Sequence, residues 1–120
     1  MQVHTEVAGD IKGLPASIDL AAYRIVQEAL TNVMRHSGQN ASSVQVTCDA
    51  RELTLRIDNE LDMERSRDGL SPGQGILGMQ ERAKALGGMV EAGPRPDGGF
   101  RVVARLPLDG GSLTTPRAGQ

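Results

Sequence analysis

The chain has 120 residues, which fits one domain around one core. It carries 13 Lys and Arg against 15 Asp and Glu, for a net charge of −2, and the basic residues are dispersed, which argues against nucleic-acid binding. No apolar run is long enough to span a membrane, no signal peptide is visible, and the lone Cys48 can form neither an internal disulfide nor a zinc site, so the chain reads as a cytoplasmic domain with no direct membrane contact.

Val3 to Val7 alternates polar and apolar residues and predicts a short strand. Gly9 to Pro15 is a loop. Ser17 or Asp19 can cap a helix running to about His36, with Ala22, Ile25, Val26, Ala29, Leu30 and Val33 as its buried face. Ser37-Gly38 ends it. Two strands follow, Ser43 to Asp49 and Glu52 to Asp58, joined through Ala50-Arg51 as a hairpin. In the second, Leu53, Leu55 and Ile57 alternate with Thr54, Arg56 and Asp58. Glu60 to Gln74 is polar and poor in apolar anchors, the mark of a functional or disordered loop. Gly75 to Leu86 predicts a second helix, stopped by Gly87-Gly88. Met89 to Ala92 and Phe100 to Leu106 predict two last strands, linked by Gly93 to Gly99. Residues 1–108 then form the domain, and 109–120, rich in Gly, Ser, Thr and Pro, a disordered tail. This element order predicts an α/β (α+β) two-layer sandwich, with one mixed sheet and its helices packed on one face. With no Trp, one Phe and one Tyr, its core must be aliphatic.

Two distant segments carry the chemistry. Glu28, Asn32 and His36 are spaced i, i+4, i+8, so they share one stripe of the first helix, with Arg35 beside them. The stripe borders the apolar face, where a pocket floor would lie. Magnesium takes oxygen ligands from few protein groups plus substrate phosphates, and the Asn32 amide can serve without adding negative charge. Arg35 and His36 can offset phosphate charge, and Glu28 can hold a metal-bound water or act as a base. The alternative is a solvated helix face. Gly73, Gly75 and Gly78 form the second segment. Glycines let backbone approach a ligand, and amides at a helix N-terminus bind phosphate. Asp58 closes an apolar strand, where a carboxylate could accept from the amino group of adenine; the alternative is a simple Asp-Asn turn. Gly98-Gly99 is either another close approach to a ligand, through Gly99, or a hairpin turn.

Taken together, these motifs resemble the catalytic ATP-binding domain of bacterial sensor histidine kinases, in the GHKL (Bergerat) superfamily. Tyr23 to Asn32 with Arg35-His36 is similar to the N box of the nitrate-sensor and DesK-like group. Gly75-Ile-Leu-Gly78-Met79-Gln-Glu81-Arg82-Ala83 with Leu86-Gly87-Gly88 resembles its second glycine box and helix. Gly98-Gly99-Phe100 and Leu106-Pro107-Leu108 are similar to its last strand pair. The resemblance implies ATP and Mg2+ as cofactors, Asn32 as the magnesium ligand and Asp58 as the adenine contact. It implies Gly73, Gly75 and Gly78 at the lid and phosphates, Arg35 and His36 near the phosphates, Glu28 near metal-bound water, and 60–74 as the ATP lid. It implies transfer of the γ-phosphate to a histidine on a separate dimerisation domain, with a response regulator bearing a helix-turn-helix output domain downstream and a parent kinase that can be membrane-anchored.

Two departures qualify it. The family's first glycine box reads Asp-x-Gly-x-Gly, whereas this chain has Asp58-Asn59-Glu60-Leu61-Asp62. No segment looks like a phosphoacceptor helix: His4 lies in a strand and His36 in the N box. Open alternatives are a nucleotide-binding module without transfer, a serine kinase of the same superfamily acting on an anti-sigma-factor partner, and a protein-interaction domain.

Overall fold

The structure, a computed structural model, describes residues 3–36, 42–59, 73–96 and 99–108; for 32–36 and 73–75 it gives the backbone course alone. Seven elements follow in chain order: β1 (Val3–Ala8), α1 (Ala16–His36), β2 (Ser42–Cys48), β3 (Glu52–Asn59), α2 (Gly73–Ala85), β4 (Met89–Pro94) and β5 (Phe100–Pro107). The strands form one sheet in the order β1-β2-β3-β5-β4. β1 pairs parallel with β2, and every other pairing is antiparallel. The mixed sheet with helices on one face is the architecture expected from the sequence.

Period-two patterning decides which side of the sheet is covered. Leu53, Leu55 and Ile57 of β3 and Val102, Ala104 and Leu106 of β5 are buried, and they meet Ile18, Ala21, Ile25 and Ala29 of α1 and Met79 and Ala83 of α2. The core is aliphatic, as the composition requires. Cys48 is half-buried against it as a free thiol.

Local turns fix the far end of this sandwich. The Asp49 carboxylate accepts from the amides of Arg51 and Glu52 at 2.7 and 2.9 Å, closing the β2–β3 hairpin. α2 ends in paired bonds: the Gly88 amide donates to the Ala83 carbonyl and the Gly87 amide to that of Lys84. Gly87 has φ +80°, a conformation glycine adopts without strain. At Gly88 any Cβ would overlap the Arg105 carbonyl oxygen, so glycine is also required for α2 to hand over to β4.

Two boundaries differ from expectation. α1 begins at Ala16, and its first bond runs from the Asp19 amide to the Pro15 carbonyl at 2.9 Å. Pro15 thus holds the capping position, and Asp19 sits in the first turn, where its charge suits the helix dipole. α2 begins at Gly73, so Gly73 and Gln74 belong to the helix instead of the preceding loop. The rest of that loop, 60–72, and the expected tail, 109–120, lie outside the described residues. Among the described residues no helix is long and apolar enough to cross a membrane.

Candidate functional site

One end of the sandwich gathers the segments that the sequence singled out. α1 runs toward it and ends at His36, β2 starts there at Ser42, β3 ends there at Asn59, and α2 starts there at Gly73. The β4–β5 turn, with Gly99, reaches the same end because Phe100 pairs with Asn59. The C-terminus of α1 and the N-terminus of α2 therefore flank the same edge of the inner sheet face, and the two helices touch.

The inner face changes chemistry at this edge. Over most of its length it is aliphatic. The last cross-strand row is Ser42, Asn59 and Phe100. Ser42 and Asn59, each 3% exposed, are the buried polar residues among those described. A polar side chain in an aliphatic layer is costly unless it is satisfied, and both make interactions of their own. α1 changes in step. Ile18, Ala21, Ile25 and Ala29 form its buried stripe, and by helical spacing positions 32 and 36 continue that stripe toward its C-terminus. Glu28 is half-buried at the stripe's margin. The side chains of Asn32, Arg35 and His36 lie outside the described residues; their positions fall in the last turns of α1.

The opening turns of α2 hold Gly73, Gly75 and Gly78. Its first turn carries no acidic residue, and the first amides of any helix lack intrahelical partners, a setting that favours an anion. The surroundings of Gly73 and Gly75 lie outside the description. At Gly78 a Cβ would lie 3.2 Å from a guanidinium nitrogen of Arg82, which passes close to the helix backbone there. Gly99 has φ +89°, and its carbonyl accepts from the Arg95 amide at 3.0 Å; it serves the hairpin turn beside the site. Gly98 lies outside the described residues.

Asp58 does not join this group. Its side chain stands on the opposite, open face of the sheet, because β3 alternates and Ile57 and Asn59 face the helices. There Arg101 Nε donates to Oδ1 at 2.6 Å, and Arg56 Nε donates to Oδ2 at 3.1 Å. Burial pushes the carboxyl pKa up, but the hydrogen bonds and charges of Arg101 and Arg56 outweigh it and hold the group below the ordinary carboxylate value. The expectation of Asp58 beside an aliphatic pocket is corrected on this geometry: the residue that reaches the inner face is its neighbour Asn59. The same alternation, carried two residues past Ile57, identifies Asn59 in the sequence, and so does its partner row of Ser42 and Phe100 once pairing is known.

A separate apolar groove of about 310 Å³ lies on the other flank of α1, lined by Ile11, Leu14, Ala22, Tyr23, Val26 and Leu30 among others. Among the described residues, no expected site residue lines it. Among the described residues no cluster of three His, Cys, Asp or Glu could hold a metal ion.

Comparison with known proteins follows the same outline. Residues 18–110 match the family described as histidine kinase-, DNA gyrase B-, and HSP90-like ATPase. The chain is 36% identical over 102 residues, 85% of its length, to the sensor histidine kinase LnrJ of Bacillus subtilis, and covers 25% of that protein. It is 30% identical over 110 residues to the sensor protein VraS of Staphylococcus haemolyticus, covering 90% of this chain and 32% of that one. It thus spans a quarter to a third of the length of these relatives. In fold it is similar to the histidine kinase domain of the blue-light-activated histidine kinase of Erythrobacter litoralis EL346, with a TM-score of 0.59 and 18% identity over 89% of this chain and 55% of that one.

Proposed function

The chain belongs to the histidine kinase-, DNA gyrase B- and HSP90-like ATPase family, as an ATP-binding domain of the sensor-kinase type, and from that premise we propose that it binds magnesium-ATP at the gathered end of its sandwich and presents the γ-phosphate to a histidine on a separate dimerisation domain. One observation carries this reading. The C-terminal end of α1, the polar row at Asn59 and the glycine-bearing start of α2 converge on one edge of an otherwise aliphatic face.

Each segment has a role in that reading. The first amides of α2, freed by Gly73 and Gly75 to approach closely, cradle phosphate oxygens. Arg35 and His36 offset phosphate charge from the end of α1. Asn32 would hold the magnesium through its amide oxygen, and Glu28 would orient a water beside it. Magnesium, when bound, supplies charge neutralisation on the phosphates. The chain's own contribution is placement, which supplies most of the rate in phosphoryl transfer. Asp58, committed to two arginines on the open face, is left out of this machinery. The acceptor histidine and a downstream regulator with a helix-turn-helix output domain come from other domains or chains, and the module works in the cytoplasm.

A second reading, nucleotide binding without transfer, is supported by the first glycine box. Counted from Asp58 its glycine positions hold Glu60 and Asp62; counted from Asn59 they hold Leu61 and Met63. Incubation with a separately made dimerisation domain and γ-labelled ATP decides between them. Acid-labile label on the added domain is expected. Binding of magnesium-ADP with no label transferred favours the second reading, and acid-stable label indicates a serine kinase.

A further inference from the structure

We propose that β1 is a self-recognition strand, and that two copies of this chain pair through it, antiparallel about a twofold axis centred on Thr5. The inference goes beyond nucleotide binding and does not depend on it, since β1 carries none of the residues given a role there. β1 is an edge of the sheet, paired on one side only, with β2. All six of its residues are exposed. An open edge is a template for another strand, and proteins usually blunt it with proline, lysine or a bulge. The opposite edge is blunted in this way, since β4 ends in Gly93-Pro94. β1 reads Val-His-Thr-Glu-Val-Ala and pairs with β2 in unbroken register, so it has no such device. Beside it lies the apolar groove of about 310 Å³, lined by Val3 and Thr5 of the strand and by Ile11 and Tyr23. Six large apolar side chains are exposed among the described residues, and Val3, Val7, Ile11 and Tyr23 of these lie on this flank. A patch gathered in this way marks an interaction surface.

The order of side chains along β1 selects a second copy as the occupant. Val3, Thr5 and Val7 pair with Ser42, Val44 and Val46, so they share the helix side of the sheet, and His4 and Glu6 share the open side. Antiparallel pairing that keeps the helix sides of both copies together matches residues of the same phase. Centred on Thr5, it sets Val3 opposite the second copy's Val7, Val7 opposite its Val3, and threonine against threonine. On the open side His4 falls opposite the second copy's Glu6, and Glu6 opposite its His4. Within the strand His4 Nε2 already lies 3.1 Å from Glu6 Oε1. Two strands then form a square of alternating imidazoles and carboxylates, with like groups only on the diagonals. Centring on His4 or on Glu6 would instead set that residue against itself and pair threonine with valine. Apolar pairs and unlike polar pairs across a ladder stabilise it, whereas like charges directly opposite weaken it. The paired valines also bring the two apolar flanks together at the axis. A contact of this kind is isologous and closes at two copies.

Sedimentation equilibrium of the whole chain at pH 7, from about 10 μM to about 1 mM, tests this. A monomer–dimer equilibrium is expected, with a dissociation constant on the order of 0.1 mM, because a single short strand makes an interface at the weak end of the size range. Amide exchange needs no variant to fold, and in β1 it is expected to slow as concentration rises. Thr5→Lys sets like charges together on the axis and is expected to weaken the dimer at least about fivefold. His4→Glu, which acts twice by symmetry, is expected to weaken it about tenfold. Adding Glu6→Lys to His4→Glu restores unlike pairs and is expected to return the constant to within about threefold of its starting value. Circular dichroism reads the fold of each variant. A chain that stays monomeric at about 1 mM overturns the proposal. So does a dimer that leaves β1 exchange unchanged and ignores these substitutions, since it forms through another surface. A loss in His4→Glu that Glu6→Lys fails to restore overturns the register and the twofold pairing with it. The nucleotide reading stands or falls separately, on magnesium-ADP binding.

Discussion

Across the thickness of β3 the chain changes its surroundings completely. Leu53, Leu55, Ile57 and Asn59 are buried under the helices, whereas Thr54, Arg56 and Asp58 stand on the open face with Arg101, Arg105 and Glu91. The inner side is held by apolar burial, which has no direction and tolerates a single polar row at its edge. The outer side is held by directed pairs: Asp58 between Arg56 and Arg101, and Glu52 with Arg105 at 3.2 Å. Adjacent residues can thus carry unrelated duties. Asp58 and Asn59 are neighbours along the chain and strangers in space: one is clamped on the open face, the other closes the buried one.

The sharpest way to break this comparison is to truncate one residue of β3 to alanine on each face and weigh the damage. Ile57 is fully buried, and Ile57→Ala removes three carbons from a packed layer, at an expected cost of about 3 kcal/mol. Thr54→Ala on the open face is expected to change stability by no more than about 0.5 kcal/mol. Urea denaturation of the two variants measures both. Similar costs would mean that the helices contribute little to holding the sheet.

The second test moves along the inner face, from aliphatic to polar. Asn32→Ala is expected to abolish the magnesium-dependent part of nucleotide affinity with the fold unchanged, since position 32 continues the stripe of Ile25 and Ala29 past the end of the core. Calorimetry with magnesium and with a chelator reads that difference, and circular dichroism reads the fold. An unchanged chelator effect would remove Asn32 from the site and leave the polar end of α1 as a solvated face.

Much of this contrast is written in local pattern. The stripe from Ala22 to Leu30, the alternation from Leu53 to Ile57 and the Leu86-Gly87-Gly88 stop each express a short-range rule, and the structure places those elements within a few residues of expectation. Strand order is different. That β5 lies between β3 and β4, and that β1 pairs parallel with β2, depends on contacts between residues far apart in the chain. The phase of Asp58 was legible, because alternation already grouped it with Thr54 and Arg56. The family's first box begins with an aspartate, so that resemblance points to Asp58 where the alternation points to its neighbour. The start of α1 was missed for a local reason: Ser17 and Asp19 are good capping side chains, but the Pro15 carbonyl takes the first helical bond.

The mildest test removes the outer clamp and asks whether the inner site notices. Asp58 is held below its ordinary carboxylate pKa: burial opposes ionisation, and the bonds from Arg101 and Arg56 overcome it. A group depressed on folding contributes stability above its unfolded pKa of 3.8 and loses it as pH falls through the lower folded value. Asp58→Asn is therefore expected to cost about 1 kcal/mol at neutral pH and to flatten the fall in stability on acidification below about pH 4. The flattening should be partial. Asp49, at the other end of the sheet, is also held below its ordinary carboxylate value, by the backbone bonds from Arg51 and Glu52. Denaturation across that range measures the slope, and a magnesium-ADP titration of the same variant at pH 7 measures the site. If stability falls while affinity holds, the two faces are energetically separate. If affinity falls at least as far as stability, the open face supports the site through the strand that both faces share, and the division between the two does not hold.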